Sequence, residues 1–179
     1  MGEDRNPFWH FSWNLYHADG VADACLALQA REGLDVNLLL FCCWAGWHGR
    51  RLSEADLATL VAAAADWQER VVRPLREVRT WLKDQDRVSA ESAETLREAV
   101  KAQELEAERL EQDLLDATLS LPEGRPDVGA VSENLQTYFT VHGRVPGPDD
   151  TAALAMLVLA TCPGAGFNLD VVTRLEDAR

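Results

Sequence analysis

Lysine is nearly missing from this chain of 179 residues. Lys83 and Lys101 are the two it has, and arginine supplies the rest of its 17 bases against 30 acids, for a formal net charge of -13. So acidic a chain lacks the surplus cation that general attraction to nucleic acid or to an anionic membrane requires, so no DNA partner is expected. Long apolar runs are missing too. Residues 38–47 carry no charged or amide side chain. Ten residues fall well short of the ~20 needed to cross a bilayer as a helix, and no membrane span is expected. The cysteines, at 25, 42, 43 and 162, form no CxxC pair. The first twenty residues include Asp4, Arg5 and Asp19 with no apolar h-region. Reduced thiols and a cytoplasmic location are therefore expected.

Catalytic signatures are scarce. HExxH, GxSxG and the P-loop are absent, and Gly164-Ala165-Gly166 lacks both a third glycine and a βαβ setting. His10, His17, His48 and His142 include no pair at i, i+3 or i, i+4, and ExxH does not occur. Cys42 and Cys43, adjacent on a helix, would project about 100° apart and suit packing better than a shared ion. No metal, cofactor or catalytic residue is expected.

What is present is helical periodicity, with no sustained period of two. Asn6-Pro7 opens a helix to about His17, and Asp19 is expected to cap a second that ends at Gly33. Asp35 caps a third, apolar all round, which belongs in the middle of a bundle. Ser53 to Asp56 forms a capping box. From Leu57 a 3.6-residue period runs through Pro74 to about Asp86, so this segment is either one kinked helix or two nearly collinear ones. Ser89 or Ser92 caps the next, whose seam reads Ala93, Leu96, Val100, Gln103, Ala107, Leu110, Leu114, Ala117 and Leu121 at heptad spacing. The fold class is all-α: a helical bundle with a long antiparallel helical hairpin, about 54–86 and 90–120. Residues 1–121 form the bundle core with the hairpin. After the Pro122–Pro126 breaker, residues 127–179 form a small helical segment packing on the same domain, with helices near 128–142, from Pro148, and from Asn168.

Phe8-Trp9, Ser12, Leu15-Tyr16, Val21, Cys25-Leu26, Leu28-Gln29 and Asp35 to Leu39, with Trp44, resemble the opening signature of a small uncharacterised proteobacterial family. The likeness is dense over the first quarter and looser through Val72, Pro74, Leu75 and Arg76. It implies a bacterial cytoplasmic origin and assigns no catalytic residue.

Two groups of side chains are candidates for function. Ser12, Tyr16, Gln29, Asp35 and Asn37 form either a buried polar network that fixes how three helices meet, or the polar end of a pocket walled by Trp9, Trp13, Trp44 and Trp47. His48, beside Gly49, reads as a favourable charge at a helix C-terminus. Arg70, Arg73, Arg76, Arg79, Lys83 and Arg87 make a basic stripe. Its arginines either pair within the hairpin with Glu94, Glu98, Glu104 and Glu108 or dock an acidic protein segment or RNA. Together these favour a non-enzymatic interaction or regulatory module that binds another protein, with a homodimer through the hairpin left open. The alternative is a helical pocket for a small apolar ligand or cofactor, with enzymatic activity conceivable.

Overall fold

The computed structural model describes residues 6–164, and these are all-α. Eight α-helices follow in order: α1 Pro7–Tyr16, α2 Val21–Glu32, α3 Val36–Trp47, α4 Glu54–Trp67, α5 Arg73–Asp84, α6 Ala90–Thr118, α7 Val128–Val141 and α8 Pro148–Thr161. The helix expected from Asn168 lies outside the described residues. None of these helices is long and apolar enough to cross a membrane.

Local chemistry sets most boundaries. The Asn6 side chain accepts from the Trp9 amide at 2.7 Å, and Pro7 takes the first helical position, where a missing N–H costs nothing. Asp35 accepts from the Asn37 amide at 2.8 Å to start α3. Ser53 and Asp56 cap each other reciprocally to start α4. At α2 the expected cap is corrected. Gly20, not Asp19, is the N-cap residue, with φ of 78° and no capping side chain. The tight turn after α1 needs a left-handed residue there, and glycine enters that region without a Cβ penalty.

Pro74 neither breaks nor sharply ends its helix. A π-helical turn, Gln68–Val72, joins α4 to α5, and Pro74 sits in the first turn of α5. Proline has no N–H to donate and its ring crowds the carbonyl a turn earlier. A widened turn just upstream relieves both.

Every residue of α3 from Asn37 to Gly46 is buried. Around it pack Phe8 and Leu15 of α1, Cys25 and Leu28 of α2, Leu57 and Leu60 of α4, Val131, Leu135, Tyr138 and Phe139 of α7, and Leu154 and Leu157 of α8. Fully burying side chains of this size is worth about 1.5–3 kcal/mol each, so this one cluster dominates the stability of the fold. α7 lies closest to α3. A Cβ added at Gly46 would sit 2.6 Å from the Val131 backbone, so only glycine permits that approach. Asn134 of α7 seals the contact by donating to the Cys42 and Arg50 carbonyls at 3.1 and 2.9 Å and accepting from the Leu52 amide at 2.7 Å.

α5 and the first half of α6 pair as an antiparallel hairpin, but of the expected seam only Ala93 and Ala107 are buried. Leu96, Leu110 and Leu114 are exposed, whereas Ala93, Glu104, Ala107, Glu111, Gln112 and Leu115 are buried. The helix is rotated so that Glu104, Glu111 and Gln112 face inward together with Leu115, while Leu96, Leu110 and Leu114 face out. α5 explains why: it offers Arg76 and Arg79, whose charge and hydrogen bonds a leucine seam would strand.

Candidate functional site

α1 presents Trp9, Trp13 and Tyr16 at i, i+4 and i+7, one aromatic face. That face is set against the N-terminus of α3 and the inward face of α6. Between them is a cavity of about 480 Å³. Its walls include Trp9, Trp13, Tyr16, Leu26, Leu40 and Leu105, and its polar surface includes Ser12, Gln29, Asp35, Asn37, Glu108 and Gln112. Arg76, Arg79, Glu104 and Gln68 close the side formed by the helical hairpin.

Seven of the residues singled out for the polar network and pocket thus come together: Trp9, Ser12, Trp13, Tyr16, Gln29, Asp35 and Asn37. Three do not. Trp44 packs between Phe8 and Phe11, at centroid distances of 6.2 and 5.0 Å, and the Trp47 ring lies tilted against Phe11 at 5.9 Å. The reason is position along the helix and not phase: Asn37, Leu40, Trp44 and Trp47 share one face of α3, but Trp44 lies about 10 Å further along the axis than Asn37, where Phe8 and Phe11 of α1 cover it. His48 is the C-cap residue of α3, with its ring edge-on to Trp44 at 4.1 Å.

The polar end is a connected network. Asn37 donates to Glu111 at 2.8 Å and accepts from Gln112 at 2.8 Å. Gln68, in the π turn, donates to the same Glu111 oxygen at 2.7 Å. Burial, and then the adjacent Asp35 carboxylate, push the Glu111 carboxyl up to about 9, while the amides of Asn37 and Gln68 oppose the shift. Glu111 is therefore a neutral acid at pH 7, able to donate to Asp35. Asp35 also anchors the network to α7, because its backbone N–H donates to the Tyr138 hydroxyl at 3.0 Å.

The basic stripe divides. Arg76 donates to Glu104 at 3.0 Å and to Glu108 at 2.8 Å, and Arg79 grips both oxygens of Glu104. Burial pulls Glu108 upward in pKa and Arg76 offsets part of that, whereas its two arginines overcome burial to hold Glu104 low. Arg70 stands 3.9 Å from Asp66, with both groups largely exposed. Arg73, Lys83 and Arg87 are exposed. Glu94 and Glu98 do not reach across the hairpin; both pair with Arg97 of their own helix.

The contributions of Gln68, Leu105, Glu111 and Gln112 were not foreseen. A signal existed for the last two. Glu104, Glu108, Glu111 and Gln112 fall at i, i+4, i+7 and i+8, a polar stripe as regular as the leucine stripe beside it.

The thiols offer no reactive group. All four cysteines are free and buried. Burial, reinforced by the neighbouring Cys43, pushes Cys25 up to about 12, and burial does the same to Cys43. Such thiols stay protonated near neutrality and are poor nucleophiles. Among the described residues, no three His, Cys, Asp or Glu side chains converge as a metal site would require.

Residues 7–115 match a family described as a protein of unknown function, DUF2390. The chain belongs to the DUF2390 family. The matched span runs from the start of α1 to Leu115 of α6, so every side chain lining the cavity lies within the DUF2390 region, and α7 and α8 lie beyond it. No curated protein and no solved structure matches the chain.

Proposed function

We propose that this protein binds a small amphipathic molecule in the cavity between α1, α3 and the α5–α6 hairpin. One observation carries the reading. A cavity of about 480 Å³, within the size range of small-molecule sites, joins an aromatic wall to a polar end that holds buried oxygens without partners. A network that served only to lock the helices together would be expected to pair those atoms internally. No cysteine lines the cavity, and among the described residues no three His, Cys, Asp or Glu side chains converge as a metal site would require; binding is the role proposed.

The test is whether small molecules reach it. With indole N–H groups observed by nitrogen-15 NMR, a fractionated bacterial metabolite extract should contain a component that shifts Trp9 and Trp13 and leaves Trp81 unmoved. If no fraction shifts Trp9 or Trp13, the reading fails.

A second reading rests on a different surface. Val78 and Trp81 of α5 are exposed, Trp81 by 58%, on the same helix as the exposed Arg73 and Lys83. That combination suits docking of another protein, or a second copy of this chain, on the hairpin. A partner that shifts Trp81 and spares Trp9 and Trp13 would favour it.

A further inference from the structure

The charged side chains that line the cavity cancel. Arg76, Arg79 and Lys101 stand with Asp35, Glu104 and Glu108, three cations against three carboxylates. Such a lining favours neither a bare cation nor a bare anion, and what it can recognise turns on the atoms still uncommitted. Lys101 lies 3.6 Å from Glu98, and Asp35 caps α3. Glu104 takes Nε of Arg76 together with Nε and Nη2 of Arg79. Arg76 Nη2 goes to Oε1 of Glu108 at 2.8 Å. Among the described residues, Nη1 of each arginine and Oε2 of Glu108 have no hydrogen-bond partner, and each belongs to a group whose other edge is fixed. The half-buried Tyr16 hydroxyl, within electrostatic reach of both Glu108 and Arg76, is a further donor without a partner in the same lining. Because Arg76 and Glu108 are bonded to each other, their free ends are neighbours. A ligand that engages both at once must carry opposite charges on adjacent groups, as a carboxylate and an ammonium on one carbon do. Leu26, Leu105 and the Trp9 and Trp13 rings, 5.9 Å apart, offer apolar surface beside them.

We propose, building on the pocket reading above, that the ligand is an α-amino acid with an apolar side chain. Its carboxylate is held by the free ends of Arg76 and Arg79 and by the Tyr16 hydroxyl, its ammonium by Glu108, and its side chain by Trp9 and Trp13. A simple amine would meet the guanidinium groups, and a simple acid would meet Glu108, each with a like charge unrelieved.

Three probes with one apolar body and different charge separate the possibilities: phenylalanine, 2-phenylethylamine and 3-phenylpropionate, titrated into the full chain and followed at the Trp9 and Trp13 indoles. Phenylalanine should bind about tenfold more tightly than either of the others. Glu108→Gln should weaken phenylalanine about tenfold and leave 3-phenylpropionate no weaker, a split that general damage to the fold would not produce. Because Glu108→Gln also disturbs Arg76, Tyr16→Phe serves as a second variant. It removes one donor and keeps the ring, so it should weaken phenylalanine and 3-phenylpropionate about threefold, spare 2-phenylethylamine and leave the thermal melt near wild type. If 2-phenylethylamine or 3-phenylpropionate binds as well as phenylalanine, the amino-acid assignment is overturned and the pocket stands. If none of the three binds, the assignment is also overturned, and the metabolite extract alone then decides the pocket.

Discussion

The surroundings of α3 and the α5–α6 hairpin are both helix packing, yet different forces hold them. Around α3 the contacts are Leu, Phe, Cys and Tyr side chains at essentially zero exposure, with Asn134 the principal polar tie. Along the hairpin the inward residues of α6 are Glu104, Ala107, Glu111 and Gln112, and their partners are Arg76, Arg79, Gln68 and the Trp67 indole, which donates to the Ala107 carbonyl at 2.9 Å. The first region should respond to lost volume and ignore salt. The second should respond to charge, ionic strength and pH. The cavity lies where the two meet, because an aromatic face built for the first regime is opposed by a polar face built for the second.

The largest expected break in that comparison is Phe41→Ala. Phe41 is fully buried beside Phe8, ring to ring at 5.2 Å, and its truncation should cost about 3–5 kcal/mol by denaturant unfolding at any salt concentration. Next is Glu104→Gln. It takes from the Arg79 guanidinium its carboxylate and from Arg76 one of two, and should cost about 2 kcal/mol, with the deficit against wild type shrinking as salt rises. Smallest is Leu110→Gln. Leu110 is 41% exposed, and the change should stay within about 0.5 kcal/mol. A seam of leucines would require several times that loss.

How far the sequence could be read follows the same division. Burial of residues 37–46 was legible because apolarity on every side of a helix leaves one place for it. The caps at Asn6, Asp35, Ser53 and Ser89 were legible because each is local chemistry. The face of α6 was not. Its leucines and its glutamates each make a regular stripe, and the choice depended on the arginines of another helix, a tertiary fact that no periodicity within α6 contains. The aromatic and polar sets lining the cavity could be grouped from sequence, but Trp44 and Trp47 lie against Phe8 and Phe11 instead. Helical phase alone does not say which end of α1 each tryptophan meets. The intimacy of α7 with α3 had one trace, Gly46 in an otherwise bulky helix, which acquires meaning only when Val131 is seen against it.

The central claim is that α6 turns Glu104 and Glu111, not the seam leucines Leu96, Leu110 and Leu114, toward the interior. Its most direct test is the titration of the Glu111 side-chain carboxyl by carbon-13 NMR. The account predicts a pKa near 9 in the folded protein against 4.5 when unfolded. The native state then holds the extra proton across that interval, and this group's contribution to stability falls as pH rises through it. Glu111→Gln keeps the acceptor for Asn37 and Gln68 and removes that slope, so the variant should gain on wild type between pH 5 and pH 9, by about 1.4 kcal/mol for each pH unit. A Glu111 carboxyl that titrates near 4.5, with no pH-dependent gain from Gln, would contradict the account.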